Sequence, residues 1–180
     1  MKSKISAIRF ASIFLAAVSF CFLAVPLAMA ATDPLPCATN AESRQLDFWL
    51  GDWSVTYPGM AGTASSTVEV ALDKCLVIER WDGGKSHRGE NIFSYSADDA
   101  IWHGMFTDND GRVHVLSGKV TPGSAEFIGP SRASNGETVL NRVRIVRLSI
   151  EKVEQSWEKS IDNGKTWKIE FRGEYTRKNP

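Results

Sequence analysis

The chain lacks an excess of charge of either sign. Its 180 residues include 21 Lys and Arg against 21 Asp and Glu. Domains that bind nucleic acid carry a clustered basic surface and a basic overall charge. The balance therefore argues against nucleic acid as a partner.

Histidine is also scarce, and its spacing is uninformative. The three histidines are His87, His103 and His114, and no two of them have a metal-ligand spacing such as H-x-x-x-H. We therefore expect no metal cofactor and no haem.

Signature motifs of catalysis are missing as well. The sequence contains no G-x-S-x-G, no phosphate-binding G-x-x-x-x-G-K and no G-x-G-x-x-G motif. Nothing in the spacing singles out a Ser-His-Asp set, so an enzymatic activity is not the first expectation.

A long apolar run occurs only near the start of the chain. Lys2, Lys4 and Arg9 form a basic start, an uncharged run follows from 10 to 27, and Ala28-Met29-Ala30 is a small-x-small cleavage site. This pattern predicts a secretory signal peptide over residues 1–30, and the alternative is a membrane anchor. Cleavage would leave a periplasmic or extracellular protein without stable membrane insertion.

The mature chain would begin at Ala31 and form one domain. Without its first thirty residues it has 18 basic and 21 acidic residues, a net charge of −3. We predict a lead with a short helix over 31–45 and a β-barrel domain over 46–180. Cys37 and Cys75 would be the two remaining cysteines, and export through an oxidising compartment predicts a disulfide between them.

Everything after Gly51 has the character of short strands separated by turns. The runs are rich in β-branched and aromatic residues, and the turns carry Asn-Gly, Asp-Gly and Pro-Gly pairs. Ten strands are predicted, at Trp53–Tyr57, Ser65–Leu72, Leu76–Trp81, Glu90–Ser96, Ile101–Thr107, Val113–Val120, Ser124–Gly129, Thr138–Ile150, Lys152–Lys159 and Thr166–Arg177.

Short connections make strands that are neighbours in sequence antiparallel neighbours in space. Ten strands in a row leave two unpaired edges, and closure into an up-and-down barrel removes both. The predicted fold is therefore all-β, a single antiparallel barrel of about ten strands. In the last strand, Trp167, Ile169, Phe171, Gly173 and Tyr175 are expected to share the buried face.

The segment before the first strand predicts how one barrel end closes. Thr39 to Leu50 is expected to form a helix capped by Thr39 or Asn40. Gly51 can take the positive φ that turns the chain out of the helix. Trp53 then points inward and closes the barrel end with a large apolar ring.

Two turn motifs have both a structural and a functional interpretation. Ser160 to Trp167 matches S-x-D-x-G-x-T-W, the Asp-box pattern found in glycan-processing enzymes, but it is foremost a hairpin in which Asp162 accepts backbone N–H groups. Asp108 to Gly111 resembles the start of a calcium loop, yet Ser117 stands where that motif needs Glu. Both are interpreted as structural turns.

Polar residues that alternate with large apolar ones point to a ligand site in the lumen. Glu79 alternates with Val77 and Trp81, and Gln155 alternates with Val153 and Trp157. Arg142 or Arg144 can neutralise an internal carboxylate. The residues predicted to bind a small, mostly apolar ligand are Glu79, Trp81, Tyr95, Trp102, Phe106, Arg144, Gln155 and Trp157.

Two alternatives stay open at this point. The lumen can serve an enzyme that uses His103 with Glu79 or Asp108 for an acid/base step. The barrel can instead be filled and act as a structural or interaction protein. Small interior residues such as Gly104, Gly118 and Gly173 favour a hollow barrel, whereas the six tryptophans have enough volume to fill one.

The motifs together resemble a known family. Leu46 to Trp53 (L-D-F-W-L-G-D-W), Asp73 to Trp81 (D-K-C-L-V-I-E-R-W) and Gln155 to Ser160 (Q-S-W-E-K-S) resemble a family of uncharacterised secreted bacterial proteins with a lipocalin-like (calycin) barrel. The resemblance continues through Tyr95, Trp102, Asp108, Gly111 and Tyr175-Thr176-Arg177. It implies a fold and no particular activity.

Two better-known barrels share part of this pattern. Gly51-x-Trp53 resembles the lipocalin signature, in which a late basic residue packs over the tryptophan, and this implies that role for Arg172 or Arg177. Trp49-x-Gly51-x-Trp53 also resembles nitrobindin-type haem barrels. None of the three histidines matches the axial ligand of those barrels, so haem is not implied.

Overall fold

The structure is a computed structural model that describes residues 36–59, 62–84 and 87–178. The predicted signal peptide at 1–30 lies outside the described residues. Within the described part of the chain, no helix combines the length and the apolar character needed to cross a bilayer.

The ten predicted strands are present and close into one antiparallel barrel. Each strand pairs with its neighbours in sequence, and β1 pairs with β10 from Trp53↔Arg177 to Thr56↔Glu174. The strands are β1 Gly51–Thr56, β2 Ala64–Ala71, β3 Leu76–Asp82, β4 Arg88–Ser96, β5 Ile101–Asp108, β6 Val113–Thr121, β7 Ser124–Arg132, β8 Thr138–Arg147, β9 Lys152–Ser160 and β10 Lys168–Arg177. Closure leaves no free sheet edge, which confirms the predicted class.

The segment before β1 is not the single helix that its apolar spacing predicts. It consists of the one-turn helix α1, Pro36–Thr39, and two 3₁₀ turns, Glu42–Arg44 and Asp47–Trp49. Pro36 is the first residue of α1, a position with which proline is compatible. The side chain of Asn40 accepts the backbone N–H of Ser43 at 2.7 Å, so Asn40 does cap a turn.

A disulfide ties this segment to the barrel wall. Cys37 and Cys75 are bonded, with their Cα atoms 5.0 Å apart. The side chain of Arg44 also donates to the carbonyl of Lys74 at 2.8 Å. Both contacts hold the N-terminal turns against the connection between β2 and β3.

Trp53 closes this end of the barrel as predicted. Its side chain is 0% exposed, and its indole N–H donates to the carbonyl of Trp49 at 2.9 Å. The guanidinium of Arg177 lies 4.2 Å from the centre of the Trp53 ring and donates to the carbonyl of Leu50 at 2.8 Å. The predicted basic residue over the tryptophan is therefore Arg177, whereas Arg172 lies beside Glu154 on the outer wall.

Gly51 is required at the turn into β1 for two reasons. Its φ is +130°, a conformation that residues with a Cβ rarely adopt. A Cβ built on it would also lie 2.3 Å from Nη1 of Arg177. The closing contact of Arg177 therefore depends on the absence of a side chain here.

The first part of β10 departs from the predicted alternation. The register of β10 against β9 shifts between Ile169 and Phe171. Phe171, Gly173 and Tyr175 face inward, but Ile169 is 46% exposed. Trp167 lies outside the barrel, where the guanidinium of Arg142 stacks on its ring at 4.1 Å. The prediction that all five residues share the buried face is wrong, because the irregularity reverses the side chains that precede it.

Candidate functional site: an aromatic cavity with a buried carboxyl floor

The barrel holds a cavity at the end opposite Trp53. Its volume is about 750 Å³, within the range of small-molecule sites. The residues around it come from the mouth-side halves of the strands and from the loops that follow β3, β5 and β7. The lining includes Tyr57, Glu79, Trp81, Asn91, Phe106, Val139, Gln155, Trp157 and Phe171.

Aromatic rings form most of the upper wall. Trp81 contacts Phe171 and Tyr57, with ring centres 5.7 and 6.3 Å away. On the opposite side, Phe106 packs edge-on against Trp157 at 5.2 Å. Their mutual contacts limit rotation of the rings, so the wall is largely preformed.

The floor of the cavity is polar and centres on Glu79, whose side chain is almost fully buried. Its Oε1 accepts hydrogen bonds from the Ser66 hydroxyl at 2.9 Å and from the Tyr175 hydroxyl at 3.0 Å. Its Oε2 accepts one from the Asn91 amide at 2.8 Å. The Tyr175 hydroxyl also contacts Oε1 of Gln155. Strands β2, β3, β4, β9 and β10 thus meet in one hydrogen-bonded layer.

Burial is the main cause of the pKa shifts in this layer. Desolvation raises the pKa of Glu79, although hydrogen bonds from Asn91, Ser66 and Tyr175 act in the opposite direction. Desolvation also raises the pKa of Tyr175, and the neighbouring charge of Glu79 raises it further. Glu79 therefore holds a proton to higher pH than an exposed glutamate does.

Five of the eight residues predicted to bind a ligand line the cavity. They are Glu79, Trp81, Phe106, Gln155 and Trp157. Tyr95 and Trp102 instead pack against each other, 6.0 Å between ring centres, near the closed end. The Trp102 indole donates to the side chain of Gln45 at 3.1 Å, so these two rings help to seat the N-terminal turns. Their predicted role in binding is corrected to packing.

Arg144 does not reach the lumen. It is exposed between the buried, inward-facing Val143 and Ile145, and its side chain approaches Glu126 at 3.7 Å on the outer wall. The expectation that it contacts a lumenal ligand is wrong, because strand alternation fixes it outward. Arg142 faces outward for the same reason and pairs with Glu158 rather than Glu79.

His103 also faces outward. Its Nε2 lies 3.0 Å from the carboxylate of Asp99, and both side chains are about half exposed. It pairs with Ser117 across the β5–β6 hairpin, one position out of phase with the inward Trp102 and Gly104. An acid/base pair of His103 with Glu79 or Asp108 is therefore not assembled. Glu79 and Asp108 do line the cavity, Glu79 at its floor and Asp108 at its mouth.

His114 lines the cavity beside Trp157, and the sequence did not single it out. Its ring packs edge-on against Trp157 at 4.9 Å, and burial lowers its pKa. Its Nδ1 is buried without a hydrogen-bond partner among the described residues. His114 alternates with the inward-facing Leu116 and Gly118, and this alternation predicts that its side chain also faces inward.

At the mouth, three side chains lie close enough together to coordinate a cation. The ligand atoms of His87, Asp108 and Asp110 lie within 4.8 Å of one another. The Asp108 carboxylate already accepts the backbone N–H groups of Asp110 and Arg112, each at 3.0 Å. Arg112 also pairs with Asp110 at 3.0 Å. These contacts are those of a closed turn, as the sequence predicts.

The Asp-box segment is a hairpin in the structure. The Asp162 carboxylate accepts the backbone N–H of Thr166 at 2.9 Å and its hydroxyl at 2.6 Å. Hydrogen bonds from Thr166 lower the pKa of Asp162 to about 2. Gly164 supplies the positive φ of +85°. Trp167 anchors the turn to the outer wall rather than to the core.

The three interior glycines do not create the cavity. Cβ atoms at Gly104 and Gly173 would lie against Phe93, Phe106, Phe171 and Val55, and one at Gly118 would collide with the carbonyl of Glu126 at 1.8 Å. These glycines allow close packing and none of them lines the cavity. The cavity exists instead because the large aromatic rings near the mouth line the wall and leave the centre of the barrel open.

Comparisons with known proteins do not identify a family. No family model matches the chain, and no curated protein matches it. One solved structure that matches is described as "Structure of EF1p2_mFAP2b bound to DFHBI". It is 14% identical, the match covers 77% of this chain and 100% of that chain, and the TM-score is 0.32. Similarity this weak carries no argument about function.

Proposed function

We propose that the protein is a binding barrel for a small, mostly apolar ligand. The observation that carries the proposal is the cavity of about 750 Å³, with aromatic walls above a few buried polar groups. Small-molecule sites combine apolar surface for affinity with a few polar groups that set orientation. A completely filled barrel does not have such a space.

The proposal includes export and family membership. The basic start, apolar run and A-x-A site of residues 1–30 support a signal peptide, and the disulfide between Cys37 and Cys75 fits an oxidising compartment. The motifs from Leu46 to Arg177 support a calycin-like relationship. The outward position of His103 speaks against the acid/base alternative, so binding is the function we favour.

Binding of Nile red, an uncharged apolar dye, tests the proposal. The wild type should bind one dye per barrel, with a rise and blue shift of dye fluorescence. Trp157→Ala removes a ring from the cavity wall and should weaken binding by about fivefold or more, because a buried aromatic contact contributes about 1 kcal/mol beyond its area. Native mass spectrometry of protein from its own host should detect a retained small molecule.

The matched control is Trp167→Ala. It also removes one tryptophan, but from the outer wall where Arg142 covers the ring. Dye affinity should stay within about twofold of the wild type. The proposal fails if the wild type binds no apolar probe, or if both variants weaken binding equally.

A further inference from the structure

Glu79 is a buried acid without a basic partner among the described residues. No Lys, Arg or His side chain in ranges 36–59, 62–84 and 87–178 comes within 4.0 Å of its carboxylate. Its side chain is 1% exposed. Buried charges are ordinarily paired, because the loss of hydration is otherwise uncompensated.

The two oxygens of Glu79 have different surroundings. Oε1 contacts Ser66 and Tyr175, neither of which lines the cavity. Oε2 accepts a hydrogen bond from the amide of Asn91, which does line the cavity. The side chain of Gln155, a further polar neighbour of the carboxylate, also lines the cavity. Oε2 is therefore the oxygen on the cavity side of Glu79.

Aromatic rings line the cavity on the Glu79 side of the barrel. Trp81 is the next inward residue on the same strand, and its ring lies 6.1 Å from that of Tyr175. Tyr57 and Phe171 pack against Trp81. Ring faces attract cations, most strongly where water is excluded. A buried acid that has no cationic partner among the described residues and lies near several aromatic rings suits an ammonium group.

We propose that the ligand of this barrel carries a basic nitrogen that donates a charge-assisted hydrogen bond to Oε2 of Glu79, with its apolar body between Trp81, Phe106 and Trp157. This proposal rests on the proposed binding function and specifies the chemical class of the ligand. The ammonium supplies the positive charge that no described residue places beside Glu79.

The charges around Glu79 favour a cation over an anion. Tyr175 is the titratable group in contact with it from β10, whereas its neighbours from β2, β4 and β9 are the uncharged Ser66, Asn91 and Gln155. The other charged or titratable groups of the lining are Tyr57, His87, Asp108, Arg112, His114, Arg132, Lys159 and Glu170. Arg112 pairs with Asp108, Lys159 approaches Glu170 and Arg132 donates to the carbonyl of Gly136, so none of these three cations neutralises Glu79.

The test uses decylamine, decanol and decanoate below their aggregation concentrations, since they share a chain and differ in the head group. Isothermal titration calorimetry of the wild type should show decylamine binding at least about tenfold more tightly than the other two, as expected for one buried charge-assisted hydrogen bond. In Glu79→Gln the preference for the amine should fall to about twofold or less. Affinity for decanol should change little.

Glu170→Gln is the matched control. It removes a carboxylate from the cavity mouth, where Glu170 is about one-third exposed beside Lys168. The proposal attributes the amine preference to Glu79 and not to acidic charge in general. The preference should therefore persist in Glu170→Gln. Equal loss in both variants would overturn the assignment to Glu79.

A second measurement needs no variant. A protonated amine that binds beside a neutral Glu79 displaces its proton, so the heat of decylamine binding should depend on the ionisation enthalpy of the buffer wherever Glu79 of the free barrel still holds its proton, a range that its raised pKa extends above that of an exposed glutamate. Decanol should show no such dependence.

Three outcomes separate the two proposals. Equal affinity for all three probes, or tighter binding of decanoate, overturns the ammonium site and leaves the binding barrel intact. Amine preference without proton release at any pH, together with an unchanged preference in Glu79→Gln, also overturns it. Binding of none of the probes contradicts both proposals.

Discussion

Trp53 should be the most costly single side chain to remove from this barrel. Trp53→Ala takes a fully buried ring from the closed end, where Tyr175 lies 6.5 Å away and the Arg177 guanidinium 4.2 Å away. Removing a buried tryptophan costs about 3–5 kcal/mol, because the surrounding structure collapses only partly into the space. The variant should therefore be far less stable than a typical core substitution.

A second contribution comes from the indole N–H. It donates to the carbonyl of Trp49 at 2.9 Å, and its loss leaves that buried acceptor without its partner. An unsatisfied buried group costs about 1 kcal/mol or more, which brings the expected loss to about 4–6 kcal/mol. For a domain of about 150 residues each kcal/mol lowers the melting temperature by about 2–4 °C. The expected decrease is about 8–24 °C.

Thermal melting followed by near-ultraviolet circular dichroism, with the disulfide intact, measures this loss. Trp53→Phe is the informative control, because it keeps a ring but removes the donor, and it should cost about 1–2 kcal/mol. A Trp53→Ala variant that melts within about 2 °C of the wild type would refute the closing role of this residue. So would a Trp53→Phe variant as unstable as Trp53→Ala.

The remaining predictions concern the disulfide, the Asp-box hairpin, the N-terminal turn and the buried acid. Thiol titration of the unfolded, unreduced mature protein should find neither Cys37 nor Cys75 free, and two reactive thiols would reject the bond. Asp162→Ala should lower stability by about 1–2 kcal/mol without changing dye binding, and a variant with unchanged melting but altered glycan binding would favour the functional interpretation of the motif. Gly51→Val should be strongly destabilising at its φ of +130°, and wild-type melting would contradict the strain. Since the folded-state pKa of Glu79 is raised, its stabilising contribution is complete below the unfolded value near 4.5 and is lost as pH rises through the folded value. Urea unfolding across pH should therefore show this decline in the wild type but not in Glu79→Gln, and identical pH profiles would contradict it.

The strand pattern could be predicted because it depends on local chemistry. Turn pairs such as Asn135-Gly136 and Asp73-Lys74 interrupt runs of β-branched and aromatic residues, and each predicted strand overlaps an observed one. Closure followed from the need to pair two edges. The prediction of a single helix over 39–50 was wrong, because apolar spacing alone does not include tertiary contacts. Leu46 and Trp49 are fully buried against the barrel end, and short 3₁₀ turns place them there.

The face of each strand residue was harder to predict where the register changes or polar residues lie on both sides. Arg144 and Glu79 are both charged residues in strands that carry large apolar residues, yet one faces solvent and the other forms the cavity floor. Arg144 lies between the core residues Val143 and Ile145 and so faces outward, whereas Glu79 is in phase with the inward-facing Val77 and Trp81. The irregularity between Ile169 and Phe171 has no clear sequence signal and reverses the inferred face of Trp167.

The alternation of side chains along a strand shows which face a residue is on, but not how far along the barrel axis it lies. This depth explains why Trp102 and Phe106 have different roles. Both face inward from β5, four residues apart, and the rise of a strand separates them by about 13 Å. Trp102 therefore reaches the N-terminal turns and donates to Gln45, whereas Phe106 reaches the opposite half and borders the cavity. The N-terminal segment decides which end is filled, because the disulfide and Arg177 fasten it to one end only. Inward-facing aromatic residues near the N-terminal segment therefore pack the closed end, whereas those far from it are candidate ligand contacts.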